Sequence, residues 1–181
     1  MHERIGIFGG AFDPPHAAHV MVAGYALCCA GIDRLLVIPC AQHPFDKQMS
    51  PFDIRLKMAK SAFSIYKDLV EVNPIEGKLP PPSYTVRTLE ALKGRYPEAD
   101  FVLIMGSDNA RRLDKWKEPE RIRELARIFV VQRASNGIVS FPPISSTLIR
   151  NMIRRGDDVS TLIPEGVLRI IQEKGLYRGK T

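Results

Sequence analysis

With 181 residues and 45% hydrophobic content, the chain is long enough to bury a sizeable core and predicts one domain spanning 1–181. It has no apolar run near the roughly 18 residues of a membrane span and no signal-peptide layout at its N-terminus, and its three cysteines form no framework; the expectation is a cytoplasmic protein in a reducing compartment. The formal charge of +6 comes from lysines and arginines spread along the chain and mixed with acids, which suits a small anionic substrate and gives no reason to expect nucleic acid or membrane as a partner.

The first apolar run, Ile5 to Phe8, leads into Gly9-Gly10-Ala11-Phe12-Asp13-Pro14-Pro15-His16-Ala17-Ala18-His19. This reads as strand, tight turn and a helix from about His16 to Ala30, with Gly31 as its stop. Two glycines let the backbone approach a ligand, and a helix start there would aim N–H groups and the positive dipole end at a phosphate. His16 and His19, three residues apart, project from one face of the first turn. Their spacing alone leaves three readings: phosphate contacts, a solvated helix start, or half of a metal site. The cysteines weaken the metal reading, because Cys28 and Cys29 are adjacent and Cys40 stands alone, unlike the C-x-x-C of a zinc site.

Further strands are predicted at Leu35–Ile38, Leu69–Val72, Phe101–Met105 and Ile128–Val131. Between and after them lie helices at about Pro51–Ser64, Ser83–Arg95 with Pro97 as a stop, Pro119–Leu125, Ser145–Arg155, and Pro164–Lys174 with Gly175 as a cap. Pro80-Pro81-Pro82 reads as a stiff turn. Near-continuous apolar strands alternating with helices predict a Rossmann-like α/β fold: an open, mostly parallel sheet with helices on both faces and a small helical subregion from about residue 145. In such sheets ligands bind beyond the carboxyl ends of the strands. Gly9, Pro39, Asn73, Gly106 and Arg133 follow the five strands, which places His16, His19, Lys47, Tyr84, Asp108, Trp116 and Arg133 around one crevice.

Pro142-Pro143-Ile144-Ser145-Ser146-Thr147-Leu148-Ile149-Arg150 is a second phosphate-suited helix start. Its hydroxyls can cap the helix or bind phosphate oxygens, and Arg150, one turn on, carries a guanidinium fork suited to a polyphosphate. Trp116, the only tryptophan, lies in the polar stretch Asp114–Glu118, where it can stack on a ring or pack under a loop. Asp108 can receive donors from a ligand or cap a short segment beginning at Asn109.

A Gly-x-Phe-x-Pro-x-His-x-x-His element beginning at Gly10, together with Ile144-Ser145-Ser146-Thr147-Leu148-Ile149-Arg150, resembles the signature pair of the nucleotidyltransferase superfamily related to class I aminoacyl-tRNA synthetases. Ser83-Tyr84-Thr85-Val86-Arg87-Thr88-Leu89, Gly106-Ser107-Asp108 with Trp116, and the stretch from Leu162 to Tyr177 make it most similar to the bacterial nicotinate-nucleotide adenylyltransferases. The resemblance runs in order through almost the whole chain. It departs at Ala11, where a hydroxyl residue is usual, at Ala18, where glycine is common, and in the loop from Cys40 to Lys47.

The resemblance implies transfer of the adenylyl group of ATP to nicotinate mononucleotide, giving nicotinate adenine dinucleotide and pyrophosphate in NAD biosynthesis. Alternative acceptors are nicotinamide mononucleotide, or phosphopantetheine elsewhere in the superfamily. It implies His16, His19 and Arg150 as catalytic residues. Gly9, Gly10, Ala11, Phe12, Gly106, Asp108, Arg133, Ser145, Ser146 and Thr147 would join them in holding ATP, and Lys47, Ser83, Tyr84, Thr85 and Trp116 would hold the mononucleotide. Ser83, Tyr84 and Thr85 would offer N–H groups to the nicotinate carboxylate. Magnesium would be carried by the ATP phosphates and water, with no protein ligand.

Overall fold

A computed structural model describes residues 2–44, 48–132 and 141–179. The strands are β1 (Arg4–Gly10), β2 (Arg34–Pro39), β3 (Val70–Val72), β4 (Asp100–Gly106) and β5 (Ala126–Val131). The helices are α1 (Ala17–Cys29), α2 (Phe52–Phe63), α3 (Thr85–Arg95), α4 (Ser107–Ala110), α5 (Pro119–Leu125), α6 (Ser146–Arg155) and α7 (Glu165–Glu173). All five strands are parallel, in the order β3-β2-β1-β4-β5, as the alternating pattern predicts.

The alternation of side chains along β1 divides the core into two layers. Ile5 and Ile7 point to one face with Leu36, Ile38, Leu103 and Met105, where α3 supplies Val86, Leu89 and Leu92 and α5 supplies Ile122. Phe8 points to the other with Leu35, Val37, Val102 and Ile104, under α1, α2, α6 and α7. Each fully buried leucine, isoleucine or phenylalanine contributes about 1.5–3 kcal/mol, so both layers are needed to hold the central strand. Gly6 is small because of the second layer: a Cβ there would fall 2.5 Å from Ile32 Cδ1.

Element boundaries differ from expectation at particular places. Leu69 is not in a strand; it ends a 3-10 segment, Ser64–Leu69, and is 53% exposed, because Lys67 at φ 48° turns the chain just before β3. The short α4 and the 3-10 turns Ile75–Lys78 and Leu113–Lys115 carry too few residues to show a period. No helix among the described residues is long and apolar enough to cross a membrane.

Candidate active site

The strand order reverses between β1 and β4, and the loops leaving their carboxyl ends border the crevice that doubly wound sheets use for ligands. Gly9 and Gly10 are still in the strand, opposite Ile38 and Pro39. The turn is made instead by Phe12, at φ 49°, whose ring is buried edge-on against Phe8 and Phe63 and 5.1 Å from the ring of His19. Gly10 is required by that packing, because a Cβ there would lie 2.9 Å from the Phe12 ring; at Gly9 a Cβ would meet nothing within 4 Å, so this side of the strand end is open. With its ring in the core, Phe12 can contribute only its backbone to a ligand.

His16 is the N-cap of α1, and His19 occupies the third helical position. Nδ1 of His19 accepts the His16 backbone N–H at 3.2 Å, the reach-back contact that Glu or Gln makes in a capping box. A neutral imidazole that accepts at Nδ1 carries its proton on Nε2, the nitrogen that can then donate to an anion. The two rings stack with centroids 3.7 Å apart, His16 nearly buried and His19 half-buried. The helix start is less open than the sequence suggests, because the Ala17 amide donates to the carbonyl of Leu162.

Ser145 caps α6, its hydroxyl accepting the Leu148 N–H at 3.1 Å. The Ser146 hydroxyl donates to the Pro14 carbonyl at 2.9 Å, and Arg150 donates to the Asp13 carbonyl at 2.7 Å and to Thr147 Oγ1 at 3.2 Å. The start of α6 is thus fastened to the turn that precedes α1. Two of the three hydroxyls expected at phosphate serve the protein's own backbone; the third, on exposed Thr147, accepts from the half-buried Arg150.

Other expected residues are redistributed. The N–H of Ser83 donates to Gln42 O at 2.9 Å and its hydroxyl accepts the Gln42 amide, so Ser83 ties down the loop after β2 and offers no N–H to a carboxylate. Tyr84 is the N-cap of α3, which begins at Thr85. Its ring has two cations near it, Lys117 Nζ at 4.8 Å and Arg87 Cζ at 5.3 Å from the centroid. Trp116 is half-buried against the α3 layer of the core. Asp108 is not a cap: Gly106 caps α4, and the exposed Asp108 carboxylate accepts from Arg111. Lys47 and Arg133 lie outside the described residues.

Sequence reasoning assigned no site role to Asp13, Arg55 or Tyr177. Arg55 is 1% exposed and donates to the carbonyls of Ala11 (2.9 Å), Cys40 (2.6 Å), Ala41 (3.1 Å) and Ser50 (2.8 Å), joining the loops after β1 and β2 to the start of α2. Desolvation lowers its pKa from the ordinary arginine value, with Asp13 the leading opposing charge. A signal existed: residues 55, 58, 59 and 62 share the buried face of α2, and an arginine on that stripe must find partners. Tyr177 gives no such signal, since its partner, Asp13, is 164 positions away.

A cytidylyltransferase-like family model matches residues 7–152. A protein of Anaeromyxobacter dehalogenans strain 2CP-1 named "probable nicotinate-nucleotide adenylyltransferase" is 42% identical, with 98% of each chain covered. The chain belongs to the nicotinate-nucleotide adenylyltransferases of the cytidylyltransferase-like family. A Myxococcus xanthus protein with the same name, "probable nicotinate-nucleotide adenylyltransferase", is 36% identical over 96% of this chain and 94% of its own. A solved Vibrio parahaemolyticus structure provisionally given the same name superposes with a TM-score of 0.78 at 26% identity, covering 98% of this chain and 97% of that one. The Plasmodium falciparum nicotinic acid mononucleotide adenylyltransferase complexed with NaAD shares the fold, with a TM-score of 0.77 at 21% identity over 97% and 98% of the two chains.

Among the described residues of this family member, no three His, Cys, Asp or Glu side chains gather where they could hold a metal ion. The side chains at the crevice include imidazole, hydroxyl and guanidinium groups that can donate to anionic oxygens, and of these the guanidinium repels a cation. Magnesium fits this set only as an ion carried by the substrate's phosphates and water.

Proposed function

We propose that the chain, acting as one nucleotidyltransferase domain, transfers the adenylyl group of ATP to nicotinate mononucleotide. An oxygen of the mononucleotide phosphate attacks the α-phosphorus of ATP, the bond from that phosphorus to the bridging oxygen breaks, and pyrophosphate leaves with the electron pair. The attacking phosphate is already anionic, so no general base is needed. Catalysis is then positioning and stabilisation of charge on the transferring group and on the departing pyrophosphate.

The observation that carries this reading is the stacked His16–His19 pair at the start of α1, joined to the Arg150-bearing start of α6 through Asp13 and Pro14. His19, with Nε2 protonated, donates to the α- and β-phosphate region, and His16 supports its ring from below. Arg150 and Thr147 grip the β- and γ-phosphates, with Ser145 and Ser146 shaping the helix start that faces them. Gly9, Gly10, Ala11 and Phe12 offer the backbone along which the nucleotide lies, with Gly106, Asp108 and Arg133 on the adenosine side. Magnesium, carried by the ATP phosphates and water, would neutralise phosphate charge.

For the acceptor, Trp116 stacks on the pyridine ring. The amides opening α3 at Tyr84 and Thr85 hold the carboxylate, with Ser83 fixing the loop beside them and Lys47 on the mononucleotide phosphate. The proposed setting is the cytoplasm, with no nucleic-acid or membrane partner. Pyrophosphate release with ATP and magnesium, comparing kcat/KM for nicotinate and nicotinamide mononucleotides, is the test. A strong preference for the acid supports the carboxylate site; comparable rates remove it, and no release with either removes the transferase.

A further inference from the structure

The segment after α7 reaches the first motif through a contact that the transfer chemistry does not use. Helix α7 ends with Gly175 at φ 59°, and the Leu176 amide donates back to the Ile171 carbonyl at 3.0 Å, a Schellman turn that reverses the chain toward the sheet. Tyr177 is itself left-handed, at φ 61°. That conformation is unfavourable for an aromatic residue and persists where surrounding contacts hold it. Here the holding contact is the phenol: its hydroxyl donates to Asp13 Oδ1. Asp13 Oδ2 accepts the Ser50 amide at 3.2 Å, and the Asp13 carbonyl accepts from Arg150 at 2.7 Å. Asp13 is 3% exposed, so each of these donors replaces water that the site excludes. Burial, together with the bond to Asp13, holds the phenol above the ordinary tyrosine pKa, and it remains a donor at neutral pH.

We propose that Tyr177 is a positioning residue for adenylyl transfer: by holding the Asp13 carboxylate it fixes the turn that carries His16 and the carbonyl on which Arg150 rests. This rests on the transferase reading above. Asp13 is engaged on both carboxylate oxygens and at its carbonyl, which makes it a fixed post for neighbouring groups. Removing the phenolic hydroxyl leaves a buried carboxylate oxygen without its donor, so the turn shifts to rehydrate it and Arg150 loses its seat. Ground-state binding of ATP is spread over many contacts, whereas charge stabilisation on the leaving group depends on where Arg150 stands. The loss therefore falls on kcat more than on KM.

The test is a double-mutant cycle on the full chain, Tyr177→Phe with Arg150→Ala, read by pyrophosphate release, with amide hydrogen exchange of residues 11–20 measured without substrate. The expected result is a fall of about 10-fold in kcat for Tyr177→Phe with KM for ATP changed less than about 3-fold, and a loss below about 3-fold when Arg150 is already alanine. Exchange across residues 11–20 should quicken in Tyr177→Phe while the melting temperature stays within a few degrees. Equal fold-losses in both backgrounds, or unchanged exchange, would overturn the positioning role in a wild type that works. A wild type releasing no pyrophosphate fails the transferase reading itself, and the positioning role falls with it.

Discussion

The Arg150 guanidinium donates to the backbone carbonyl of Asp13 at 2.7 Å, across 137 positions of the chain. The two phosphate-suited helix starts are therefore one connected structure. With Ser146 on the Pro14 carbonyl as well, the start of α6 sets the position of the turn before α1, and that turn in return orients Arg150.

Arg150→Lys should behave as a loss despite its retained charge. A lysine ammonium cannot span Asp13 O and Thr147 Oγ1 with a planar fork, so kcat should fall by roughly 10-fold or more. His19→Ala removes a preorganised donor and should cost on the order of 10² to 10³ in kcat. Steady-state pyrophosphate release measures both; wild-type turnover in either variant would remove that residue from the machinery.

Trp116 is the only tryptophan, so its fluorescence reports on its own surroundings. Titration with nicotinate mononucleotide should change that emission. Trp116→Ala should raise KM for the mononucleotide about 10-fold with a smaller change in kcat, as expected from roughly 1–3 kcal/mol of ring stacking. Unchanged emission at saturating mononucleotide would place the ring elsewhere.

Arg55→Met should lower stability. It strips donors from the buried region where the carbonyls of Ala11, Cys40, Ala41 and Ser50 converge. A cost of about 3 kcal/mol corresponds to a melting temperature lower by roughly 6–12 °C for a chain of this size. Thermal unfolding checks this, and a shift under about 2 °C would mean that water satisfies those carbonyls.

Stability should decline at alkaline pH. Burial, then the nearby Glu76 charge, pushes the Cys40 thiol from an ordinary 9.0 up to about 11. Between those values the unfolded chain has lost the proton and the folded chain keeps it. The contribution is thus fully present below about pH 9 and is lost as pH rises through about 11. The Tyr177 phenol is raised too and acts in the same direction, from its ordinary value of 10.0 upward. Denaturant midpoints at pH 7, 9 and 10.5 should fall from pH 9 to 10.5. At pH 8 a thiol-alkylating reagent should modify exposed Cys28 and Cys29 well before Cys40.

Much of the fold is local in origin and was legible. Apolar runs place β1, β2, β4 and β5 within a few residues, and α6 begins where its cap residue, Ser145, stands. The histidine pair was legible as well, since a three-residue spacing at a helix start puts both rings on one face whatever lies around them.

Composition and local order by themselves determined the parallel α/β sheet, the helix starts and the crevice at the strand ends, because periodicity and capping act over a few residues. The tertiary structure alone decided which polar groups those starts spend on the protein itself. Ser83 turns to Gln42, Ser146 to Pro14 and Ala17 to Leu162, while Asp13, Arg55 and Tyr177 become the fasteners of the site. A buried donor or acceptor must be paired, but its partner is whichever group the packing brings within about 3 Å, and no local pattern encodes that choice.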